Sequence, residues 1–168
     1  PPTWFTTPAA LDTTFDGDGT KTLTEISSPN WDRIWDMKLM ADGKFVATGM
    51  MNNDFGIMRF NADLSLDSSF GDNGVTRTYV GSVAPHHVIK FTVDSQNRYL
   101  VGGQNHIVRY LADGTLDTTF GQQGILELQN VVVEQLAFQP DGKLIVGGHP
   151  TDDVTFGVYV AQIGRAHV

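Results

Sequence analysis

A pentapeptide that occurs three times is the strongest constraint on how this chain can fold. It reads LDTTF at residues 11–15, LDSSF at 66–70 and LDTTF at 116–120. A glycine-bearing turn follows each copy, as DGDG, GDNG and GQQG in chain order. The copies recur at a period of about 50 residues, which is typical of propellers, solenoids and other repeat arrays. The chain is therefore expected to consist of three related units.

Each unit is predicted to contain four short strands. The segments between turns are apolar or alternating, and none has the 3.6-residue period of a helix. Tight turns with the sequences ADGK, SQNR and PDGK separate the second strand from the third, and such turns are strong hairpin signals. The first predicted strand comprises residues 20–26, 75–80 and 125–129 in the three units, and the second comprises residues 33–40, 88–94 and 132–138. The third comprises residues 45–50, 99–104 and 144–149, and the fourth comprises residues 55–60, 106–111 and 156–161. Four antiparallel strands per unit favour a propeller blade.

Three longer stretches carry a family resemblance. The segments LDTTFG, PDGKLIVGG and FGIMRFNADLSLDSSFG resemble the delta-60 repeat, a family of bacterial β-propeller-type repeats, and the resemblance extends from residue 11 to about residue 162. It implies an all-β, propeller-like array of about three four-stranded antiparallel blades. It also implies a bacterial protein that is extracellular or at the cell surface. The resemblance supplies no catalytic residues, and repeat 2 departs from the pattern with SQNR in place of PDGK.

The repeats divide the chain into an arm, an array and a tail. Residues 1–10 are expected to be an extended N-terminal arm. The array covers residues 11–162, as repeats at 11–65, 66–115 and 116–162. The last six residues, IGRAHV at 163–168, break the pattern and coincide with a reading frame of a common sequencing adapter. They are therefore expected to be a non-native tail.

The predicted strand at residues 20–26 is out of phase with the blades. It belongs after a pentapeptide and has no blade of its own, whereas the last blade lacks its final strand. Three units are too few for a ring, because propellers have roughly four to eight blades. Three outcomes stay open. The natural protein is longer, two copies close a six-bladed ring, or each copy donates a strand to the next head to tail.

Composition excludes several classes of function. The net charge of −8 argues against sequence-independent nucleic-acid binding, which needs basic residues to neutralise phosphates, and against anionic membrane surfaces. The absence of cysteine rules out disulfides and thiolate metal sites. No apolar run approaches the ~20 residues that span a bilayer. The expected partners are therefore other copies of the chain or further repeats of a longer one.

The repeated pentapeptide is interpreted as a structural turn. Its aspartate is expected to accept backbone N–H groups in an Asx-type turn. Its leucine and phenylalanine are expected to be buried. The residues concerned are Leu11, Asp12 and Phe15, Leu66, Asp67 and Phe70, and Leu116, Asp117 and Phe120.

Metal sites have weak candidates. Asp16 and Asp18 in DGDG, with Asp12 close by, have the carboxylates that calcium prefers. The equivalent turns GDNG and GQQG keep one carboxylate and none, so the turn is expected to form without a metal. The histidines His86, His87, His106 and His149 occupy different positions in the repeats, which does not fit a zinc site with converging ligands.

The remaining candidates concern sugar binding and catalysis. Trp31 and Trp35, with Tyr79, could stack against a glycan, although Trp35 lies in mid-strand and is expected to pack between blades. The sequence has no nucleophile elbow, P-loop, zinc-protease or dinucleotide motif. The sequence therefore predicts a non-enzymatic, extracellular structural or adhesive module without a cofactor. The alternative is a propeller that binds a glycan or a protein.

Overall fold

The fold consists of three antiparallel β-sheets. In a computed structural model, the chain is described over residues 10–24, 32–81, 90–151 and 157–164. All regular secondary structure in these ranges is β-strand, and no helix occurs in them. The sheets contain four, four and three strands. These observations confirm the predicted all-β array of propeller-like blades. In the same ranges, no helix is long and apolar enough to cross a membrane.

Each sheet is a meander in which hydrogen-bonded neighbours follow one another along the chain. The first sheet contains β1 Arg33–Leu39, β2 Phe45–Met51, β3 Asp54–Phe60 and β4 Val75–Thr78. The second contains β5 Lys90–Val93, β6 Tyr99–Gly103, β7 His106–Tyr110 and β8 Ile125–Glu127. The third contains β9 Val131–Phe138, β10 Leu144–Pro150 and β11 Tyr159–Ile163.

The sheets are out of phase with the sequence repeats by one strand. The outer strand β4 follows the pentapeptide at residues 66–70, and β8 follows the one at 116–120. A blade therefore takes three strands from one repeat and its outer strand from the next. The third sheet has only β9, β10 and β11 among the described residues. Over the described residues, the third sheet agrees with the prediction that the last blade lacks its final strand.

The tight turn between the first two strands of each sheet is the same despite its different sequences. The backbone N–H of Met40 donates to the carbonyl of Lys44 at 2.8 Å, and that of Asp94 donates to the carbonyl of Arg98 at 3.0 Å. Gly43 has a φ of 80°, and Asn97 takes the equivalent position with a φ of 60°. Asparagine tolerates this left-handed conformation better than most residues. Repeat 2 can therefore form the turn with SQNR.

The core lies between consecutive sheets. One buried cluster joins the first and second sheets, and another joins the second and third. The phenylalanine of a pentapeptide lies in each, since Phe70 and Phe120 are fully buried. The ring of Phe70 meets that of Tyr99 edge to face, with centroids 5.7 Å apart. The turn that closes the first sheet is therefore fastened to the second.

The strand predicted at residues 20–26 is wrong over its described part, because residues 20–24 form no strand. In the later copies the chain folds back onto the first turn glycine. A Cβ added to Gly71 would lie 2.6 Å from the carbonyl oxygen of Val75, and one on Gly121 would lie 2.2 Å from that of Ile125. Asp16 stands at the equivalent position and carries a Cβ, so the same fold-back would require the neighbouring backbone to shift.

The last strand also differs from its prediction. It was expected at residues 156–161 and is observed at Tyr159–Ile163, where Ile163 pairs with Leu144. The first residue of the predicted tail therefore belongs to β11, and residues 165–168 lie outside the described ranges. Residues 1–9 of the predicted arm also lie outside them.

Alanine substitutions at two glycines distinguish the cost of a Cβ clash from the cost of a positive φ. Gly71 and Gly17 both have positive φ, at 53° and 86°, but a Cβ on Gly17 would meet nothing within 4 Å. An alanine costs about 1–2 kcal/mol in this conformation at either site. We expect Gly71→Ala to lower the free energy of unfolding by roughly a further 2 kcal/mol, because the carbonyl of Val75 must move. Denaturant unfolding of both variants measures the difference, and equal losses would contradict the fold-back explanation.

Candidate functional site

All three pentapeptides form the same backbone turn. In the first copy, the N–H of Phe15 donates to the carbonyl of Asp12 at 2.9 Å, and the N–H of Gly19 donates to the carbonyl of Phe15 at 2.7 Å. The second and third copies repeat both bonds at distances between 2.7 and 3.1 Å. The local sequence thus suffices to set this turn, whatever surrounds it.

The aspartate of each pentapeptide caps its own turn. In the first copy, Oδ1 of Asp12 accepts from the backbone N–H of Thr14 at 3.0 Å and from its hydroxyl at 2.7 Å. Ser69 makes the same two bonds to Asp67, and Thr119 makes them to Asp117. These are Asx-type turns, in which a side chain replaces a backbone acceptor.

The second oxygen of Asp67 holds two cations. Nζ of Lys44 lies 2.6 Å from Oδ2, and Nε of Arg59 lies 2.7 Å from it. The guanidinium of Arg59 also lies over the ring of Phe70, 4.6 Å from its centroid. Burial raises the pKa of Asp67, but hydrogen bonds from Lys44, Ser69 and Arg59 outweigh it and hold the pKa well below its usual range. We call this arrangement of lysine, arginine, aspartate and phenylalanine the clamp.

The second sheet contains an equivalent clamp. Nε of Arg109 donates to Oδ2 of Asp117 at 2.8 Å, and its guanidinium lies 4.7 Å from the ring centroid of Phe120. Arg98 takes the turn position of Lys44 and lies 4.0 Å from Oδ2 of Asp117. Arg109 is only 3% exposed, so its charge depends on these carboxylate contacts.

The first pentapeptide has the turn without the clamp. Asp12 is exposed, and within the described residues its hydrogen bonds come from Thr14. Those bonds lower its pKa. The expected burial of the leucine is wrong for this copy, since Leu11 is 64% exposed, and Phe15 is half-buried, whereas Phe70 is fully buried. Three nearly identical pentapeptides therefore occupy two different environments.

The third sheet has the opposite deficiency. Lys143 takes the turn position of Lys44 and Arg98, and its Nζ lies 3.0 Å from Oδ2 of Asp141 in an exposed pair. Its sheet is not followed by a pentapeptide in the described residues. Gln162 occupies the strand position of Arg59, because it pairs with Ile145 as Arg59 pairs with the equivalent residue of β2. No segment in the described part of the chain therefore covers the outer edge of β11 as β4 and β8 cover the other two sheets.

The outer face of the first sheet, which points away from the second sheet, is apolar. Its buried cluster consists of Ala47, Met51, Met58, Phe60 and Val75, and Leu23 packs against it from residues 10–24. Three residues of β1 share this face by register and are exposed: Ile34 at 48%, Met37 at 45% and Leu39 at 65%. A cavity of about 360 Å³ lies between residues 21–23 and this sheet.

The structure places the predicted metal ligands as follows. Asp16 and Asp18 are exposed, and Oδ1 of Asp18 accepts from the N–H and hydroxyl of Thr20 at 2.8 and 2.7 Å. No group of three or more histidine, aspartate or glutamate side chains is arranged to hold a metal ion in the parts of the chain that are described. The expectation that this turn forms without a metal stays a prediction.

The two described histidines lie on different sheets. His86 and His87 lie outside the described residues. His106 begins β7 and is half-buried, and burial lowers its pKa. His149 lies on β10, with Nδ1 2.8 Å from the carbonyl oxygen of Pro150. The structure therefore does not bring His106 and His149 together.

The two described aromatic residues considered for sugar binding have different surroundings. Trp31 is outside the described residues. Trp35 is half-buried and packs against the core between the first and second sheets, and the guanidinium of Arg33 lies 5.7 Å from its ring centroid. Tyr79 is 72% exposed. Glycan binding stays a prediction.

The sequence reasoning missed the arginine of the clamp. Arg59 precedes Asp67 by eight residues, and Arg109 precedes Asp117 by the same number. That constant spacing is visible in the sequence and could have pointed to a contact.

Comparison with known proteins gives one family. The sequence matches the family described as "Domain of unknown function (DUF5122) beta-propeller" over residues 38–70, 92–120 and 139–161, about half of the chain. No curated protein and no solved structure matches it.

The clamp predicts a pH-dependent loss of stability. Because the pKa of Asp67 is lower in the folded than in the unfolded chain, its stabilisation is complete above about pH 4 and is lost as the pH falls towards the folded-state pKa. We expect Asp67→Asn to cost about 3 kcal/mol of unfolding free energy at pH 7, and we expect that difference to shrink below pH 4. Urea unfolding at several pH values tests this, with Asp12→Asn as the control. Equal losses for the two variants would contradict the clamp.

Proposed function

The chain belongs to the DUF5122 beta-propeller family, and we propose that it is a non-enzymatic structural module that assembles head to tail with other copies of itself. In this proposal its repeats are of the delta-60 type, and its place is the exterior or surface of a bacterial cell. The support for both is the resemblance of LDTTFG and PDGKLIVGG to that repeat. The support for a non-enzymatic role is a sequence without the common catalytic motifs.

One observation carries the proposal. Among the described residues the third sheet has three strands, whereas the first and second sheets have four. The outer edge of β11 therefore presents backbone N–H and C=O groups of the kind that β4 and β8 cover in the other sheets. Open strand edges readily accept a segment from another chain. The chain also carries a closing segment, residues 10–24, whose pentapeptide turn is folded but closes no sheet.

In this proposal, the outer face of the first sheet fits the outer face of the third sheet of another copy. The outer face of the first sheet corresponds to the faces that the second and third sheets turn towards their predecessors. On the third sheet, Val160 lies on the opposite face to the buried Val146 and is 68% exposed. An interface that joins the third sheet of one copy to the first sheet of the next would repeat the interfaces within the chain. Such a head-to-tail contact closes a ring or grows a filament, depending on its rotation.

Particle size tests the assembly. We expect the 168-residue chain to form large particles in light scattering and rings or filaments in electron microscopy. Deletion of residues 1–26 removes the closing segment and should leave monomers. Deletion of residues 1–9 keeps the pentapeptide, and this control should assemble normally. Circular dichroism must show that both shortened chains are folded. A monomeric full chain, or unchanged assembly after the longer deletion, would refute the proposal.

A further inference from the structure

We propose that head-to-tail assembly is locked by an ion pair between Lys143 of one copy and Asp12 of the next, with Phe15 inserted beside it. This inference rests on the proposed function, and it names the residues that form the contact. The partner is therefore a second copy of this chain. The argument proceeds from the two clamps that the chain forms internally.

The turn cations of the three sheets occupy equivalent positions, but only two of them reach a pentapeptide. Nζ of Lys44 lies 2.6 Å from Asp67. Arg98 pairs with Asp94 at 2.6 Å, while its Nη1 also lies 4.0 Å from Asp117. Lys143 stands at the third position and pairs with its turn neighbour Asp141, with no pentapeptide aspartate beside it in the described residues. The cation of the third sheet is thus available for an acceptor of the same kind.

The acceptors show the complementary pattern. Asp67 and Asp117 are each about 5% exposed, and each binds cations from the sheet that it closes. Asp12 is exposed and is capped by its own Thr14 among the described residues. Within the described ranges, Lys143 has no pentapeptide aspartate beside it and Asp12 has no cation beside it, so the two are complementary.

Backbone hydrogen bonds can form beside this ion pair. The N–H of Asp67 donates to the carbonyl of Arg59 at 2.9 Å, and the N–H of Arg59 donates to the carbonyl of Gly74 at 2.9 Å. In the third sheet Gln162 has the register position of Arg59, on the strand whose outer edge is open. The equivalent groups of the first pentapeptide turn are the N–H of Asp12 and the carbonyl of Gly19. Gln162 cannot supply the charge of an arginine, so Lys143 supplies the cation.

The aromatic ring gives the contact its apolar part. Phe70 and Phe120 are fully buried between consecutive sheets, whereas Phe15 is half-buried. The turn that carries Phe15 already has the backbone hydrogen bonds of the other two copies. Docking therefore needs little reordering of this turn, which lowers the entropic cost of association.

The arrangement of the sheets favours a second copy over closure within one chain. Leu23 packs against the first sheet, so residues 10–24 lie at that end of the array. Lys143 belongs to the third sheet, and the second sheet packs between the first and the third. The two halves of the missing clamp are therefore at opposite ends of the described structure.

A charge exchange tests the pair, because Asp12 is exposed and Lys143 is half-buried, and circular dichroism checks that each variant is folded. Asp12→Lys opposes two lysines at the contact, and Lys143→Asp opposes two aspartates. We expect each single variant to need a roughly tenfold or higher concentration to assemble, since like charges at an interface are unfavourable. Assembly is measured by light scattering over a dilution series. Lys44→Asp is the matched control, because it makes the same substitution in the internal clamp of the first sheet and leaves the proposed contact between copies unchanged.

Mixing the variants gives the decisive result. In an equimolar mixture of Asp12→Lys and Lys143→Asp, every contact between unlike chains pairs a lysine with an aspartate. We expect the mixture to assemble within about threefold of the original concentration dependence. A mixture as weak as its components would overturn the ion pair. Single variants that assemble normally would overturn it as well, while head-to-tail assembly itself would stand. A full chain that is monomeric at all concentrations would overturn both proposals.

Discussion

The contact between the pentapeptide aspartate and the arginine of the preceding strand is the interaction on which the array depends. Arg59 binds Asp67 and covers the ring of Phe70, so one guanidinium fixes both the turn and the aromatic side chain. The turn then directs the chain into the outer strand of the same sheet, and the ring fills the space before the next sheet. Sheet completion and sheet stacking are thus coupled by one buried charge. Breaking such a pair leaves an uncompensated ion, which explains why the arrangement recurs with little variation.

The repeat made much of the fold predictable, and local sterics account for what was not. Apolar runs located the strands, and the position of the pentapeptide revealed that the outer strand comes from the next repeat. Residues 20–24 of the predicted strand form no strand, and this copy has Asp16 where the later copies have the crowded Gly71 and Gly121. This crowding is a short distance between a Cβ and a carbonyl oxygen in the folded chain, and the hydrophobic periodicity of the sequence does not reveal it.

The candidate site was less predictable than the fold. The pentapeptide aspartates were singled out, and their hydrogen bonds to the following Thr or Ser follow from local sequence. Their ion pairs depend on a turn between strands and on a residue eight positions earlier, which come together only when the sheet forms. Burial separates Asp67 from Asp12, although both stand in nearly the same pentapeptide. A motif therefore fixes the geometry of a turn, and its neighbours in space decide whether that turn carries a protected charge.

The one-strand offset between repeats and sheets has a consequence for synthesis on the ribosome. The first sheet cannot acquire β4 until the pentapeptide of the following repeat has been made, and the second waits for β8 in the same way. Domains fold progressively as the chain emerges, and unpaired strand edges are prone to aggregate during that time. A nascent chain of this design always carries one unfinished sheet at its growing end. Translation speed across each pentapeptide therefore sets how long that edge is exposed to neighbouring nascent chains.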